Sequence, residues 1–566
     1  VSAEPAFPPF SAEARREHWT ALAGETWDLL VVGGGITGAG IARDAAGRGL
    51  RVALVDSGDI GRGTSSRSSR LVHGGIRYLE TGDLRLVFEA SAERRRLLSL
   101  APHLVHPQEF LFPVFRGGPV DFRKLQAGMW LYDLLSLFRN IRPHRMLGRA
   151  AVAEAEPGLR RDTVRGAALY YDAAVDDARL TLANARGAHE SGAAVVSYGE
   201  VFEFIEEDGA MRGARVRDRL TGATVEVRAR VVVNAAGPWS DAVRRLADPS
   251  AQPRLRPTKG VHIMVPHARL ANRHAITFPS PVDGRVMFVL PWGDFSYVGT
   301  TDTDFEGDPA DVAATDDDVR YLLDSANGIF PDAKLTAADV VSTWAGIRPL
   351  LAPATKGSGL AASATSREHE IWRDPSGLLN IAGGKLTTYR VMAKQATDAA
   401  ARILRAEGVT VSSWSLTADL PLPGAPLGDY AAFEARIRRE AAELGMGDDV
   451  GLHLARARGE DADALLEEVR ADSSLGARLV EGRHYIWAEV PHSVRAEMAI
   501  TLSDVLIRRL HLFYEAEDGG LSVAPAVAEM MATQPGIRWD AAEVARQVDA
   551  YRAEVQATRG FGGTAA

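Results

Sequence analysis

Two kinds of apolar pattern alternate along the chain. From residue 28 to 56 the order is strand, turn, helix, strand. DLLVV is a continuous run of strand length, ITGAGIARDAAGRG follows at helix-compatible spacing, and RVALVD is the second strand. Ile36, Gly40, Ala42 and Ala46 give that helix a small face that can pack closely on a parallel sheet. Residues 193–237 have a different period. VVSYGEVFEFIEE, MRGARVRDRL and TVEVRARVVVNAAG alternate or are β-branched, with EDG and LTGA as turns, and they predict an antiparallel meander. RLRPTKGVHIMVP, RVMFVLPW and FSYVGTTD predict further strands over 254–300. The acidic stretch 308–324 predicts a helix with a solvated face, and 378–404 a strand, a glycine turn and a long helix.

Pro and Gly cluster in LPLPGAPLG, 420–428, and the pattern beyond is almost purely helical, which predicts a separate helical domain over 429–560. Residues 1–26 read as a Pro-rich arm running into a short helix, with no apolar core of signal-peptide length. No uncharged apolar stretch reaches the roughly 18 residues of a transmembrane helix, and no solenoid or propeller period recurs. The 566 residues suggest about three packed units, with an ordinary soluble composition of 46% hydrophobic and 25% charged residues. A net charge of −9 argues against a general nucleic-acid binder but leaves room for a local basic pocket. The absence of cysteine excludes disulfides, thiolate catalysis and thiolate-held iron–sulfur or zinc centres. No metal site is expected, and a cytoplasmic location is compatible.

GGGITG, 33–38, supplies G-x-G-x-x-G at Gly33, Gly35 and Gly38, after a strand and at the start of a helix. The second strand ends in Asp56, 18 residues after Gly38, near the spacing at which an acid meets a ribose hydroxyl. Glycines there permit the tight turn and the approach of a pyrophosphate to the helix N-terminus. The polar, Gly-rich SGDIGRGTSSRSSR after Asp56 and the interleaved antiparallel strands favour a flavin over a nicotinamide cofactor.

VVGGGITGAGIARDAAGRGLRVALVD, GRGTSSRSSRLVHGGIRYLE, VVNAAGPWSD, TKGVHIMVP, GTTDTD, WAGIRPL and IAGGKLTTYR occur in that order, followed by the helical EMAITLSDVLIRRL. In these motifs the chain resembles the respiratory, FAD-dependent glycerol-3-phosphate dehydrogenases of the glycine oxidase and D-amino acid oxidase superfamily. The resemblance runs from Trp27 to about Arg559. It implies an α/β fold: a Rossmann-like FAD-binding domain interleaved with an antiparallel-sheet substrate domain, plus an all-α C-terminal domain. The oxidoreductase core is expected over 27–419, with FAD-binding segments at about 27–100, 160–250 and 340–405 and substrate-binding segments at about 101–159 and 251–339. FAD is expected on Gly33, Gly35, Ile36, Thr37 and Gly38, then Asp56 and Ser57, then Thr64, Ser65 and Ser66. Val201, Ala236 and Gly237 follow, and the final turn adds Gly383, Gly384, Lys385, Leu386 and Thr387.

The resemblance also implies oxidation of glycerol 3-phosphate to dihydroxyacetone phosphate, by hydride transfer to the flavin and loss of the hydroxyl proton. A phosphomonoester carries about two negative charges and calls for several cations, guanidinium forks above all. Arg77, Arg348 and Lys385 lie in matched motifs; Arg367 has flanks that match less well; Tyr78 is a phenol donor beside Arg77. Gly74 and Gly75 are expected to let the backbone pass beneath the flavin ring. His73 and His262 are the imidazoles within matched motifs, with His73 placed ahead as proton acceptor, and Arg348 is expected to stabilise the developing alkoxide. Lys385 is divided between the phosphate and the flavin's electron-rich edge.

The implied acceptor is the membrane quinone pool, and the implied location the inner face of the cytoplasmic membrane. FRKLQAGMWLYDLLSLFRNIRPHRM, 122–146, places Ala127, Leu131, Leu134, Phe138 and Ile141 on one helical face, extended by Trp130 and Leu135. Arg123, Lys124, Arg139, Arg142 and Arg145 flank it. Two readings stand: an interfacial helix on anionic lipid, or a helix packed on the substrate domain. Residues 429–560 are left open between dimerisation, as a homodimer, acceptor docking and stability. The alternatives to the main reading are an oxygen-using glycerophosphate oxidase, an amine or amino-acid oxidase, and a flavin-bound sensor or scaffold without turnover.

Overall fold

The computed structural model describes residues 9–75, 83–137, 140–352 and 368–559. The first strand, Thr26–Val32, is buried from Trp27 onward and pairs in parallel with Val52–Val55 on one side and Thr224–Asn234 on the other. Such double burial is why its sequence is apolar without alternation. Ala194–Val196 and Leu379–Gly383 extend the parallel sheet, and His369–Arg373 closes one edge antiparallel. The meander joins it through Thr224–Asn234, whose first half pairs with Ala210–Asp218 and whose second half runs beside Thr26–Val32. The helix Ile36–Gly47 packs by its small face: a Cβ on Gly40 would stand 3.1 Å from Ala393 and Tyr389 of the helix Tyr389–Ala406.

A ten-stranded, mainly antiparallel sheet makes the second layer. It contains the predicted strands, found at Leu255–Pro266, Val286–Trp292 and Phe295–Gly299, and also Val105–Phe115 and Ala275–Pro279. Interleaving is finer than the predicted segments. Leu71–Val72, Val164–Val175 and Ser342–Leu351 fall in segments assigned to FAD binding, yet all three pair in this second sheet. The acidic stretch opens with a 3-10 turn at Pro309–Asp311 and becomes α-helical at Asp316, where Thr315 and Asp318 form a capping box; Val319, Leu322, Leu323 and Ala326 bury the inner face.

The C-terminal region is helical, as expected, and packs closely on the rest of the chain. Residues 430–488 have a small core of their own around Ile437, Leu454 and Leu465. From Val490 to Val555, however, buried side chains join the same core as Leu29, Leu54 and Ala393. The Pro/Gly boundary is itself packed: Leu422 is buried and bonds Leu100 O through its amide at 2.8 Å, while Arg43 donates to Leu420 O and Pro421 O.

Candidate active site

A cavity of about 510 Å³ lies where the two sheets meet. Gly33, Gly35, Ile36 and Thr37 line one wall at the N-terminus of the helix Ile36–Gly47. Gly33 has φ +110°, and a Cβ there would stand 2.6 Å from Ala235 O, so only glycine fits the turn. Gly38 does not line the cavity. Its added Cβ would meet Gly33 O at 1.8 Å, which makes it the glycine of close helix–strand packing. Asp56 receives the Gly34 amide at 2.6 Å and the Gly58 amide at 2.8 Å. Burial pushes its carboxyl up to about 6, against the pull of those two amides.

Ser57, Thr64 and Ser65 line the cavity, whereas Ser66 is buried and does not. Val201, Ala236, Gly237, Gly383, Gly384, Lys385, Leu386 and Thr387 complete the predicted set within the lining. Gly383 and Gly384 are both left-handed, at φ +80° and +84°, so the backbone turns sharply before Lys385.

The second sheet supplies the other wall. Gly260 and Gly346 face each other across the antiparallel pair of Leu255–Pro266 and Ser342–Leu351, and both line the cavity. Two residues on, His262 is opposite Trp344, and their rings stack at 4.8 Å with 11° between planes. His262 Nε2 lies 2.9 Å from Ser69 Oγ. Burial, reinforced by the charges of Arg348 and Arg70, holds its pKa well below the usual imidazole value, so the ring is neutral at pH 7. Arg348 crosses over Gly260, whose Cβ would stand 2.3 Å from the guanidinium. It donates to Asp302 at 3.1 Å and to Thr300 Oγ1 at 2.9 Å.

His73 also lines the cavity, and its amide is anchored to Thr387 Oγ1 at 3.2 Å. The next residue corrects an expectation. Gly74 is not in the lining but faces the interior, where a Cβ would stand 2.2 Å from the Tyr132 hydroxyl. Its amide donates to Asp172 at 2.9 Å, and Asp172 is held by Tyr132 and Arg94. The glycine therefore serves packing on this buried polar cluster. Arg77, Tyr78 and Arg367 lie outside the described residues. Arg62, Arg67, Ser69, Glu200 and Trp239 line the cavity and were not singled out from sequence. All five sit in quoted stretches, GRGTSSRSSR, VVSYGEVFEFIEE and NAAGPWSD, but only the fold separates a lining side chain from its neighbours there.

The family model for FAD dependent oxidoreductase matches residues 28–399. That for the C-terminal domain of alpha-glycerophosphate oxidase matches 415–544. Glycerol-3-phosphate dehydrogenase 2 of Mycobacterium tuberculosis is 40% identical over 540 residues, covering 95% of this chain and 90% of its own. The chain belongs to the FAD-dependent glycerol-3-phosphate dehydrogenases. The glycerol-3-phosphate dehydrogenase of Bacillus halodurans, solved with FAD, superposes with a TM-score of 0.80 at 33% identity over 97% of this chain and 98% of that one. Glycine oxidase of Geobacillus kaustophilus shares the fold at a TM-score of 0.51 and 22% identity, over 70% of this chain and 98% of its own.

As a glycerol-3-phosphate dehydrogenase the chain is FAD-dependent, and the residues present fit that cofactor. The cavity is of ligand size. At one wall it joins a helix N-terminus, suited to a pyrophosphate, to a carboxylate with acceptor sites left beyond its two amide bonds. Its lining carries Arg62, Arg67, Arg348 and Lys385 against Asp56 and Glu200.

Proposed function

We propose that the protein oxidises sn-glycerol 3-phosphate at C2 to dihydroxyacetone phosphate. The observation that carries the reading is the pairing beside the Gly260–Gly346 window: a buried neutral imidazole, His262, and a guanidinium, Arg348, both on the cavity wall. His262 and His73, both on the cavity wall, are the candidate proton acceptors; burial keeps His262 neutral and able to accept, while weakening it as a base. Arg348 stabilises negative charge at the reacting oxygen, and Lys385 supplies a further cation on the same cavity. FAD, when bound, supplies the hydride acceptor. Gly33, Ile36 and Asp56 would hold its pyrophosphate and ribose, and Gly383–Thr387 would border its ring.

Electrons then pass to a membrane quinone. The helix Phe122–Leu135 supports this part of the reading. Leu125, Met129 and Tyr132 anchor it inward, while Ala127, Trp130, Leu131 and Leu134, followed by Leu137, are exposed. Arg123, Lys124, Arg142 and Arg145 are exposed around them. The helix stops at Leu135, short of the predicted face, and Phe138 and Arg139 lie outside the described residues. An apolar patch with a basic rim suits the surface of anionic lipid and supports a peripheral position at the inner face of the membrane. Among the described residues, no helix is long and apolar enough to cross a membrane.

The test is anaerobic. Glycerol 3-phosphate should bleach the flavin band of the purified holoenzyme, while glycerol and D-alanine leave it unchanged. A flavin that stays oxidised would discard the substrate. Peroxide formed mole for mole with product in air would replace the quinone reading by the oxidase one.

A further inference from the structure

The proposed chemistry uses nothing from the C-terminal helices, yet a group of their buried charges, Asp504, Arg508 and Arg509, packs behind the walls of the cofactor cavity. Asp59 stands in the turn after the second strand, between Gly58 and Arg62, which line the cavity. Its own side chain is fully buried and points into two consecutive arginines. Arg508 Nε lies 2.5 Å from Oδ2; Arg509 reaches Oδ2 through Nη1 at 2.5 Å and Oδ1 through Nη2 at 3.1 Å.

Adjacent side chains on an α-helix diverge by about 100°. Here Asp504–Arg509 forms a π-helical turn, with the Leu510 amide bonded to Val505 O at 2.9 Å. The wider turn lets both guanidiniums meet one carboxylate, and π-turns recur at functional sites. Asp504 closes the circuit. It accepts from Arg508 at 2.7 Å and from the Tyr198 hydroxyl at 2.6 Å. Tyr198 precedes Gly199, Glu200 and Val201 of the cavity wall, and its amide donates to Gly58 O at 2.9 Å. The Gly199 amide donates to Asp56 O at 2.7 Å. One turn of the C-terminal region thus grips two neighbouring walls around Asp56, with two carboxylates balanced by two guanidiniums.

A buried ion pair is weak evidence for stability, because desolvation offsets its attraction. Its placement against the cofactor walls is what needs a reason. We propose that the C-terminal turn Asp504–Arg509 is a clasp that retains FAD, holding the turn after Asp56 and the wall Tyr198–Val201 in their cofactor-binding positions. Asp59, Arg508, Arg509 and Tyr198 are positioning residues for the cofactor. This rests on the cavity being the FAD site, which the wild-type spectrum tests independently.

The experiment follows FAD release from diluted holoenzyme by the rise in flavin fluorescence, beside thermal unfolding of the apoprotein. The variants are Asp59→Asn, Tyr198→Phe and, as a control, Glu156→Gln. Glu156 is equally buried, accepts from the His274 amide and ring at 2.6 and 2.7 Å, and does not line the cavity. Asp59→Asn should release FAD at least about tenfold faster and Tyr198→Phe about threefold faster, the scale of losing one buried hydrogen-bond partner. KM for glycerol 3-phosphate at saturating FAD should stay within about twofold, since only the cofactor is loosened. Glu156→Gln should lower the unfolding temperature without hastening release. Wild-type release rates in both clasp variants, or equally fast release in the control, would overturn the clasp. Should Asp59→Asn fail to fold, Tyr198→Phe, which removes a single oxygen, decides the matter alone. A wild type that binds no FAD would overturn the site assignment itself, and the clasp with it.

Discussion

His262 and Asp56 show burial shifting two ionisable groups to different ends. In His262 it removes the charge: the imidazole titrates well below 6.5, pressed further by Arg348 and Arg70. The pH profile of wild-type kcat should therefore lack a limb near 6.5, any histidine limb lying lower. His262→Asn should lower kcat by about 10²–10⁴-fold with little change in KM, as steady-state kinetics across pH would reveal. In Asp56 burial raises the carboxyl from 3.8 to about 6. A carboxyl raised in the folded state binds more protons there than when unfolded, so the FAD-free fold gains stability as pH falls across that window. FAD binding runs the opposite way, because a ribose hydroxyl donates to the ionised form. Affinity should fall below pH 6, by at most about tenfold per unit. Titrating apoprotein with FAD at several pH values should show this slope in the wild type and a flat line in Asp56→Asn.

At the scale of elements, the helix Phe122–Leu135 carries two apolar faces, one packed and one exposed. Asp121 caps it through the amides of Arg123 and Lys124, a start that the sequence DFRK signals. Its inward face is Leu125, Met129 and Tyr132, and its apolar outward face is the one the helical period picked out. Periodicity finds apolar stripes but does not say which of two will face the core. Replacing Leu131 and Leu134 by Ser should leave thermal stability and dye-linked activity nearly unchanged. The same pair should reduce flotation with anionic vesicles and slow reduction of vesicle-borne quinone severalfold. Equal flotation of both proteins would remove this helix from the membrane contact.

For the whole molecule, the Pro/Gly stretch at 420–428 reads as a domain boundary because its composition breaks the preceding pattern. In space it is stapled to the core by Arg43 and by the Leu422–Leu100 bond, and the buried residues beyond it continue the same core. Truncation after Gly428 should therefore expose a large apolar surface. Expression and gel filtration should show aggregated, flavin-free protein. A monodisperse yellow truncated protein would restore the picture of a separable domain.

Local physics made much of this protein readable in one dimension. Runs buried on both faces mark the parallel strands, glycine spacing marks the turn at Gly33, and the acid after the second strand falls at Asp56, because each depends on neighbours in the chain. What joins distant segments was decided only by tertiary structure. Gly74 is a glycine because of Tyr132, His262 is neutral because of what covers it, and Arg508 and Arg509 find their carboxylate some 450 residues away. A buried charge is legible only with its partner, and the partner's address is a property of the fold.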